Sequence, residues 1–568
     1  MKSLFLPLGG LRLPSRDSLT EWFIRHWTKP LVPALWLGGF LALWLGGLRC
    51  EAGWFLPMGV ALLALGACLG LPLVLVLATL PIYAFRYLLF LVPPFVGAGA
   101  NQGKAVLVLA VTAGWEALPV LVAVGLGTLL VRRHAASWVV FLAVAGVFTG
   151  LSIWVPLPYG LSLLAPAFQE LPGLIWAFGI DLTGGLLLGG VFVVGGWLVS
   201  PARGKTVALS GLGVCLVMVV SQFGYQKWQG QCSGLSRQVV EHDVMAIPGG
   251  LPPFVSNFRA MSDRALYPMI LFSATHPDLI LGPENLIQAN KDIDPDDQGS
   301  VLQRHITAIG MGIAVPFSQS LFGVRDHKTA RIYFSDIQNN RPRVQWKDLA
   351  RRSPGVDYPV PWFQKRFSKD YEPAIGPPKV DPIMDLWKQS DEPGNAYHLE
   401  EAGGLKKVSR AVICMSGEIR DPKLVRRVAS DDRITVAMNP NLGGWLGPFE
   451  AAGASTQARA RLLELGLMGY RVGQTGGTEL VVPWLDDAAP TAVAPNKAYL
   501  RFRAPLPYQR AETGYTGFTW KLGFFILPLL GAVSLLLWLI SRSNWASTLL
   551  HARVLDALAP AKSGSEAV

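Results

Sequence analysis

Trp520-Lys-Leu-Gly-Phe-Phe-Ile-Leu-Pro-Leu-Leu-Gly-Ala-Val-Ser-Leu-Leu-Leu-Trp-Leu-Ile540 is the stretch on which the reading of this chain turns. About 20 apolar residues in a row are enough to cross the hydrocarbon of a bilayer as a helix. This run closes a long polar region, 223–519, which itself follows seven apolar segments near 31–49, 54–70, 71–96, 105–131, 136–156, 172–199 and 206–222. The polar region is therefore expected to be one domain, held at both ends against the same side of a membrane.

Composition agrees. A mean hydropathy of +0.35 with 51% hydrophobic residues is high for a water-soluble chain of 568 residues. Between Leu31 and Phe223 the charges fall almost entirely in connecting segments, with Arg86 inside the third span and the second and third spans nearly continuous at Gly70-Leu71-Pro72. Lys and Arg collect on cytoplasmic loops, and they collect here in the N-terminal arm, at Arg132-Arg133, at Arg203 and Lys205, and after the last span. With eight spans all four groups share one side. The expected organisation is a cytoplasmic arm (1–30), a seven-helix membrane domain (31–222), an extracytoplasmic domain (223–519), a final transmembrane helix (520–541) and a cytoplasmic tail (542–568). No small-residue cleavage site follows the first span, so a removed leader is not expected.

The net charge of +11 does not point to nucleic acid. Part of the excess is accounted for by the cytoplasmic loops, and no basic stripe is interleaved with aromatics as single-strand binders require. Anionic lipid headgroups are the simpler partner. Of the five cysteines, Cys50, Cys68 and Cys215 lie in or beside apolar spans, which leaves Cys232 and Cys414 on the oxidising side, where thiols can pair. No CxxC or His/Cys cluster has metal-site spacing.

Within the polar region, strand signals recur at Asp278–Leu281, Gly312–Phe317, Ala330–Phe334, Arg410–Met415, Arg433–Met438, Glu479–Pro483 and Tyr499–Arg503. Ala458, Leu462, Leu465 and Met468 recur at helical spacing over Ser455–Met468. Strands alternating with helices indicate a layered α/β domain. Gln338 to Lys407, rich in Pro, Asp, Lys and Arg, reads as long irregular loops.

Three places carry chemistry. Pro277-Asp-Leu-Ile-Leu-Gly-Pro-Glu284 is a strand ending in a carboxylate. Val344-Gln-Trp-Lys347 offers an ammonium after a short turn, although Lys328 also follows one. Ser409-Arg-Ala-Val-Ile-Cys414-Met-Ser-Gly-Glu418 delivers a thiol to a strand end. A nucleophilic thiol, a base for its proton and a cation for the oxyanion together make an acyl-transfer site.

The order Glu, Lys, Cys resembles the triad of the nitrilase (carbon–nitrogen hydrolase) superfamily. The membrane layout around it looks like the apolipoprotein N-acyltransferases. Asn439 through Trp445-Leu-Gly447 resembles that family's turn after the next strand, and Ala458-Arg-Ala-Arg461-Leu-Leu-Glu464-Leu-Gly466, followed by Arg471 and Thr475-Gly476, is similar to its Arg-Ala-x-Glu helix and the strand beyond. The resemblance implies an extracytoplasmic αββα sandwich in which Glu284 is the base, Lys347 the oxyanion holder and Cys414 the nucleophile, with Glu418, Trp445, Arg461 and Glu464 in support. It further implies a bacterial inner-membrane location with the soluble domain in the periplasm, no metal or organic cofactor, and transfer of an acyl chain from a phospholipid to the N-terminal amine of a lipoprotein. There are departures. Ser416 stands where the family has a glutamate two residues after the cysteine, and the run after Lys347 lacks the family's glutamate. A nitrilase-like amidase, or an inactive scaffold of a conjugative element that binds a lipid or a partner protein, is therefore an alternative.

Each residue also has a structural reading. Cys414 can be a packing thiol or a disulfide partner of Cys232, although Cys232 follows the seventh span closely and is expected near the membrane, away from the sheet core. Glu284 can be a loop carboxylate and Trp445 a core aromatic. Arg461 and Glu464 read as a helix-surface ion pair. Glu116 and Asp181, inside apolar segments, require partners, and Arg86 is one candidate.

Overall fold

The apolar segments become helices where nothing interrupts their hydrogen-bond ladder. The computed structural model describes residues 31–48, 53–89, 92, 101–155, 157, 160–167, 169–199, 204–235, 239–246, 279–282, 319–324, 329–338, 341–351, 382–389, 405–414, 416–441, 448–473, 478–484, 500–507 and 509–542. In chain order the apolar helices are α1 (Leu31–Leu48), α2 (Phe55–Cys68), α3 (Leu73–Thr79), α4 (Ile82–Leu88), α5 (Gln102–Glu116), α6 (Leu118–Arg132), α7 (Ser137–Trp154), α8 (Pro172–Val199) and α9 (Gly204–Leu235). Pro72 and Pro81 precede α3 and α4 and divide the expected third span, because proline has no N–H for the ladder.

Among the described residues, three helical stretches are long and apolar enough to cross a membrane: Ser137–Trp154, Pro172–Val199 and Leu522–Ser541. The α5–α6 pair, bent by 56°, adds a fourth if it counts as one span. Length and composition thus support three or four of the eight expected crossings, and Leu31–Gly46, Phe55–Cys68 and Leu73–Leu88 are shorter apolar helices.

α8 is broken at Gly179, whose φ of 72° is the left-handed region that glycine enters without penalty. A Cβ there would lie 2.7 Å from the Tyr515 ring. The backbone groups freed by the break are taken up locally. Ala177 O accepts from the Thr519 hydroxyl, Leu174 O accepts from Thr183 at 3.3 Å, and the Ile180 N–H donates to Glu464 Oε2 at 2.9 Å.

The polar region forms two sheets. One has the order β11-β1-β2-β3-β4-β5, built from β1 (Val239–Ala246), β2 (Leu279–Leu281), β3 (Gln319–Val324), β4 (Thr329–Gln338), β5 (Arg341–Arg351) and β11 (Leu500–Pro507). The other has the order β10-β9-β8-β7-β6, built from β6 (Ile383–Gln389), β7 (Leu405–Ile413), β8 (Ile434–Asn441), β9 (Met468–Gly473) and β10 (Glu479–Val481). β7, β8 and β9 are parallel, so helices must carry the chain back between them. These are α10 (Leu424–Ala429) and α11 (Pro448–Leu465). Leu279, Leu281 and Phe502 of the first sheet join Ile413, Met438 and Tyr470 of the second in one buried cluster, so the sheets pack face to face. Val412, Ala437 and Val481 turn the other way and pack under α10 and α11 with Leu424, Val425 and Leu462. Gly514–Arg542 closes the domain as a helix with two π-helical stretches that continues into α12 (Leu527–Arg542).

Two expectations are corrected. Gln338 to Lys407 is not loop throughout, since β5, β6 and the start of β7 run within it. Its charges suit an edge, and both β5 and β6 are edge strands. Cys232 does not stay clear of the sheet core: α9 extends well past Phe223 and carries Cys232, buried, into the cluster that holds Leu279 and Met438.

Candidate active site

Cys414 follows the last residue of β7, at the C-terminal end of a parallel strand. Alternation along β7 puts Ile413 between the sheets and Cys414 on the helix side, where it packs with Val412, Ile419 and Leu424 at 0% exposure. Its peptide is held from β8 on both sides. The Cys414 N–H donates to Met438 O at 2.9 Å, and Cys414 O accepts from Asn439 Nδ2 at 2.5 Å. Burial pushes the thiol well above its usual range; Glu418 and Asp421 add to this and Arg427 opposes it. The cysteine is free, as is Cys232, so no disulfide joins them.

The other sequence candidates are spread more widely. Glu284 and Trp445 lie outside the described residues, as does Lys328. β2, which leads toward Glu284, is central in the six-stranded sheet. Lys347 lies within β5 and not at a strand end. It pairs with Ile332, in a transverse row that runs Leu281, Leu321, Ile332, Lys347. Two strands separate β5 from β2, about 14 Å at the usual strand spacing. Glu418 sits half-buried in the 3-10 turn Ser416–Arg420 that follows the cysteine, close enough for its charge to act on the thiol.

Arg461 and Glu464 are not on a helix surface. At 3% and 0% exposure they are buried where α11 meets the break in α8. Arg461 Nη1 donates to both Glu464 oxygens at 2.6 and 2.8 Å, and Nη2 reaches Asp181 Oδ2 at 3.0 Å. The partner of Asp181 is thus Arg461, from the sheet domain, while Arg86 lies over the Trp44 ring at 4.8 Å. Glu116 accepts from the Leu161 N–H at 3.1 Å. The surface reading failed because the Arg461 partner that decides its burial is far away in sequence, and helical spacing carries no information about it.

Burial pushes the Glu464 carboxyl up to about 7; Arg461 opposes this and Asp181 adds to it. A carboxyl whose folded value exceeds its unfolded one binds more protons in the folded state, so its contribution to stability is lost as pH rises. The window runs from the ordinary 4.5 to about 7. Thermal unfolding of the wild type is expected to show this loss between pH 4.5 and about 7, and Glu464→Gln is expected to flatten it. Parallel wild-type and Gln profiles would show that Glu464 does not titrate there.

A second buried polar group lies on the cysteine's own sheet. Arg471 Nε donates to Asn439 Oδ1 at 3.4 Å, and Arg471 Nη1 pairs with Glu479 Oε1. Glu479 also accepts from Ser455 Oγ at 2.6 Å and from Arg459 at 2.7 and 3.1 Å. Burial works to raise the Glu479 carboxyl, but Arg471 and Arg459 outweigh it and hold it below the usual carboxylate range. Sequence reading matched Asn439 and Arg471 to motif positions without assigning them a contact. Among the described residues, no group of three or more His, Cys, Asp or Glu is placed to hold a metal ion.

No protein-family model matches the chain, and no curated protein matches it. Among solved structures it is similar to an amidase from Nesterenkonia sp., at 14% identity and a TM-score of 0.28, covering 48% of this chain and 94% of that one. It is similar to Nit3 of Saccharomyces cerevisiae, a member of branch 10 of the nitrilase superfamily, at 10% identity and a TM-score of 0.28, covering 47% and 90%. It is also similar to XC1258 from Xanthomonas campestris, a CN-hydrolase superfamily protein, at 12% identity and a TM-score of 0.29, covering 46% and 90%. The solved structures it resembles thus include nitrilase-superfamily members, over about half of the chain.

Proposed function

We propose that this chain is a membrane acyltransferase that moves a fatty acyl chain from a phospholipid to the N-terminal amine of a lipoprotein through a thioester on Cys414. The observation that carries the reading is the placement of Cys414. It is an unpaired thiol at the C-terminal end of a parallel strand, the end at which α/β sheets present ligands, with its peptide pinned on both sides by β8. The helices supply the setting. Residues 211–220 of α9 are exposed on every side although apolar, with Leu212 at 69% and Val219 at 67%. An apolar surface of that kind is stable against lipid and costly in water.

In this mechanism Glu284 takes the thiol proton as sulfur attacks the ester carbonyl and the S–C bond forms. The family resemblance gives the oxyanion to Lys347 of β5. The C–O ester bond then breaks, and the lysophospholipid alkoxide leaves with the proton from Glu284. The lipoprotein amine attacks the thioester, the C–N bond forms, the C–S bond breaks, and the amine's proton returns to the thiolate through Glu284. The test is direct. Membranes containing the protein, supplied with phospholipid but no acceptor, are expected to yield a Cys414 peptide carrying one acyl chain by mass spectrometry, and a diacylated lipopeptide is expected to discharge it. A Cys414 peptide that never gains the acyl mass would end this reading.

One observation favours a second reading. The thiol is fully buried and pushed away from ionisation by burial and by acidic neighbours. An inactive nitrilase-like scaffold that binds a lipid or partner protein needs no thiolate, and it predicts no acylation under any condition.

A further inference from the structure

We infer that Asn439, Arg471 and Glu479 are positioning residues that hold the Cys414 peptide in one orientation; this rests on the reading of Cys414 as the nucleophile. The three lie in one transverse row. Asn439 pairs with Arg471 across β8 and β9, and Arg471 pairs with Glu479 across β9 and β10. Ile413 pairs with Met438, so Cys414 extends the row opposite Asn439. Four adjacent strands therefore each contribute one member, and every member is at most 2% exposed.

The chemistry of the donors gives the row a direction. An asparagine amide has one accepting and one donating end, and an arginine can only donate. Arg471 therefore holds Oδ1 toward itself, which leaves Nδ2 as the end that meets Cys414 O. Glu479 holds Arg471 in place and is itself fixed by Ser455 and Arg459 of α11. A buried ion pair adds little to stability over an apolar pair of the same volume. What an apolar row could not supply is a directed donor at the carbonyl of the nucleophile's own residue.

Asn439→Asp is nearly the same shape, and Arg471 remains beside it to meet the carboxylate, but it has no N–H for Cys414 O. Arg471→Lys keeps the charge next to Glu479 and loses the Nε donor. Both are expected to slow single-turnover acylation of Cys414, Asn439→Asp by about 10²-fold, the scale of an ångström-sized misplacement of a reacting group. KM for the phospholipid is expected to stay near the wild-type value while the acylation rate falls, and the melting temperature is expected to drop in Asn439→Asp, because the buried Cys414 O loses its donor. The alkylation rate of Cys414 by iodoacetamide, resolved by peptide mass spectrometry, reads the same peptide without substrate and is expected to change severalfold. Both variants acylating and alkylating at wild-type rates would overturn the row. A wild type that never acylates, with an alkylation rate that still responds to Asn439→Asp, would overturn the acyl-transfer reading and leave the positioning row standing. If Asn439→Asp fails to fold, Arg471→Lys is judged by the same two rates.

Discussion

Cys414→Ala is expected to yield a folded protein that transfers no acyl chain. The side chain lies among Val412, Ile419 and Leu424 with no exposed surface, so alanine removes one buried sulfur and adds no polar group. Serine is the less conservative change at this site. Its hydroxyl would enter an apolar cluster, and an unsatisfied buried hydroxyl costs about 1–3 kcal/mol. Serine is also far less acidic than a thiol, so a carboxylate base cannot readily ionise it. Both variants are expected to lose the acyl-peptide and the triacylated product, with serine melting below alanine. Wild-type conversion by Cys414→Ala, read by mass spectrometry of a lipopeptide acceptor, would refute the thioester mechanism outright.

Arg461→Met is expected to be the most destabilising of these substitutions. It leaves Asp181 and Glu464 buried beside each other without the guanidinium that bridges them at 3.0 and 2.6 Å. Breaking a buried ion pair from one side costs about 3–5 kcal/mol, because the remaining charge is left uncompensated. Methionine retains most of the side-chain volume, so the loss reports charge and not a cavity. The double variant Arg461→Met with Asp181→Asn removes one of the two carboxyls left without the guanidinium and is expected to recover part of the loss. Unfolding in detergent or lipid discs measures this, and a penalty under about 1 kcal/mol, the scale of an exposed pair, would place the triad in water.

The parts legible in the sequence are those set by local pattern. The apolar helices overlap the segments that hydropathy marks; β8 begins one residue from where Val, Ile and Ala indicate it and runs three residues further, whereas β7 begins five residues before Arg410 and ends two before Met415. Helix α11 begins at Pro448, seven residues before Ser455, because proline in the first turn starts a helix without any apolar periodicity. It stops at Leu465 because Gly466, at φ 65°, terminates it, so Met468 belongs to β9. β1 and β5 were invisible for a different reason. Val239–Ala246 carries Glu241, His242 and Asp243, and its antiparallel partner is Leu500–Pro507 from the far end of the chain. The candidate site divides the same way. A strand ending in Cys414 can be read locally, but the row from Cys414 to Glu479 exists only once the register of four strands is known, and no residue spacing encodes that.

The bridge from Arg461 to Asp181 joins residues 280 positions apart. A chain made from its N terminus delivers the carboxylate long before the guanidinium. At about 5–20 residues per second the interval is roughly 15–55 seconds. For that time Asp181 is without the cation it meets in the finished fold. The contact of Tyr515 with Gly179 waits longer still. The break in α8 is therefore completed only by residues from the C-terminal part of the chain, and a ribosome stalled between Asp181 and Arg461 leaves a nascent chain whose acid is still unmatched.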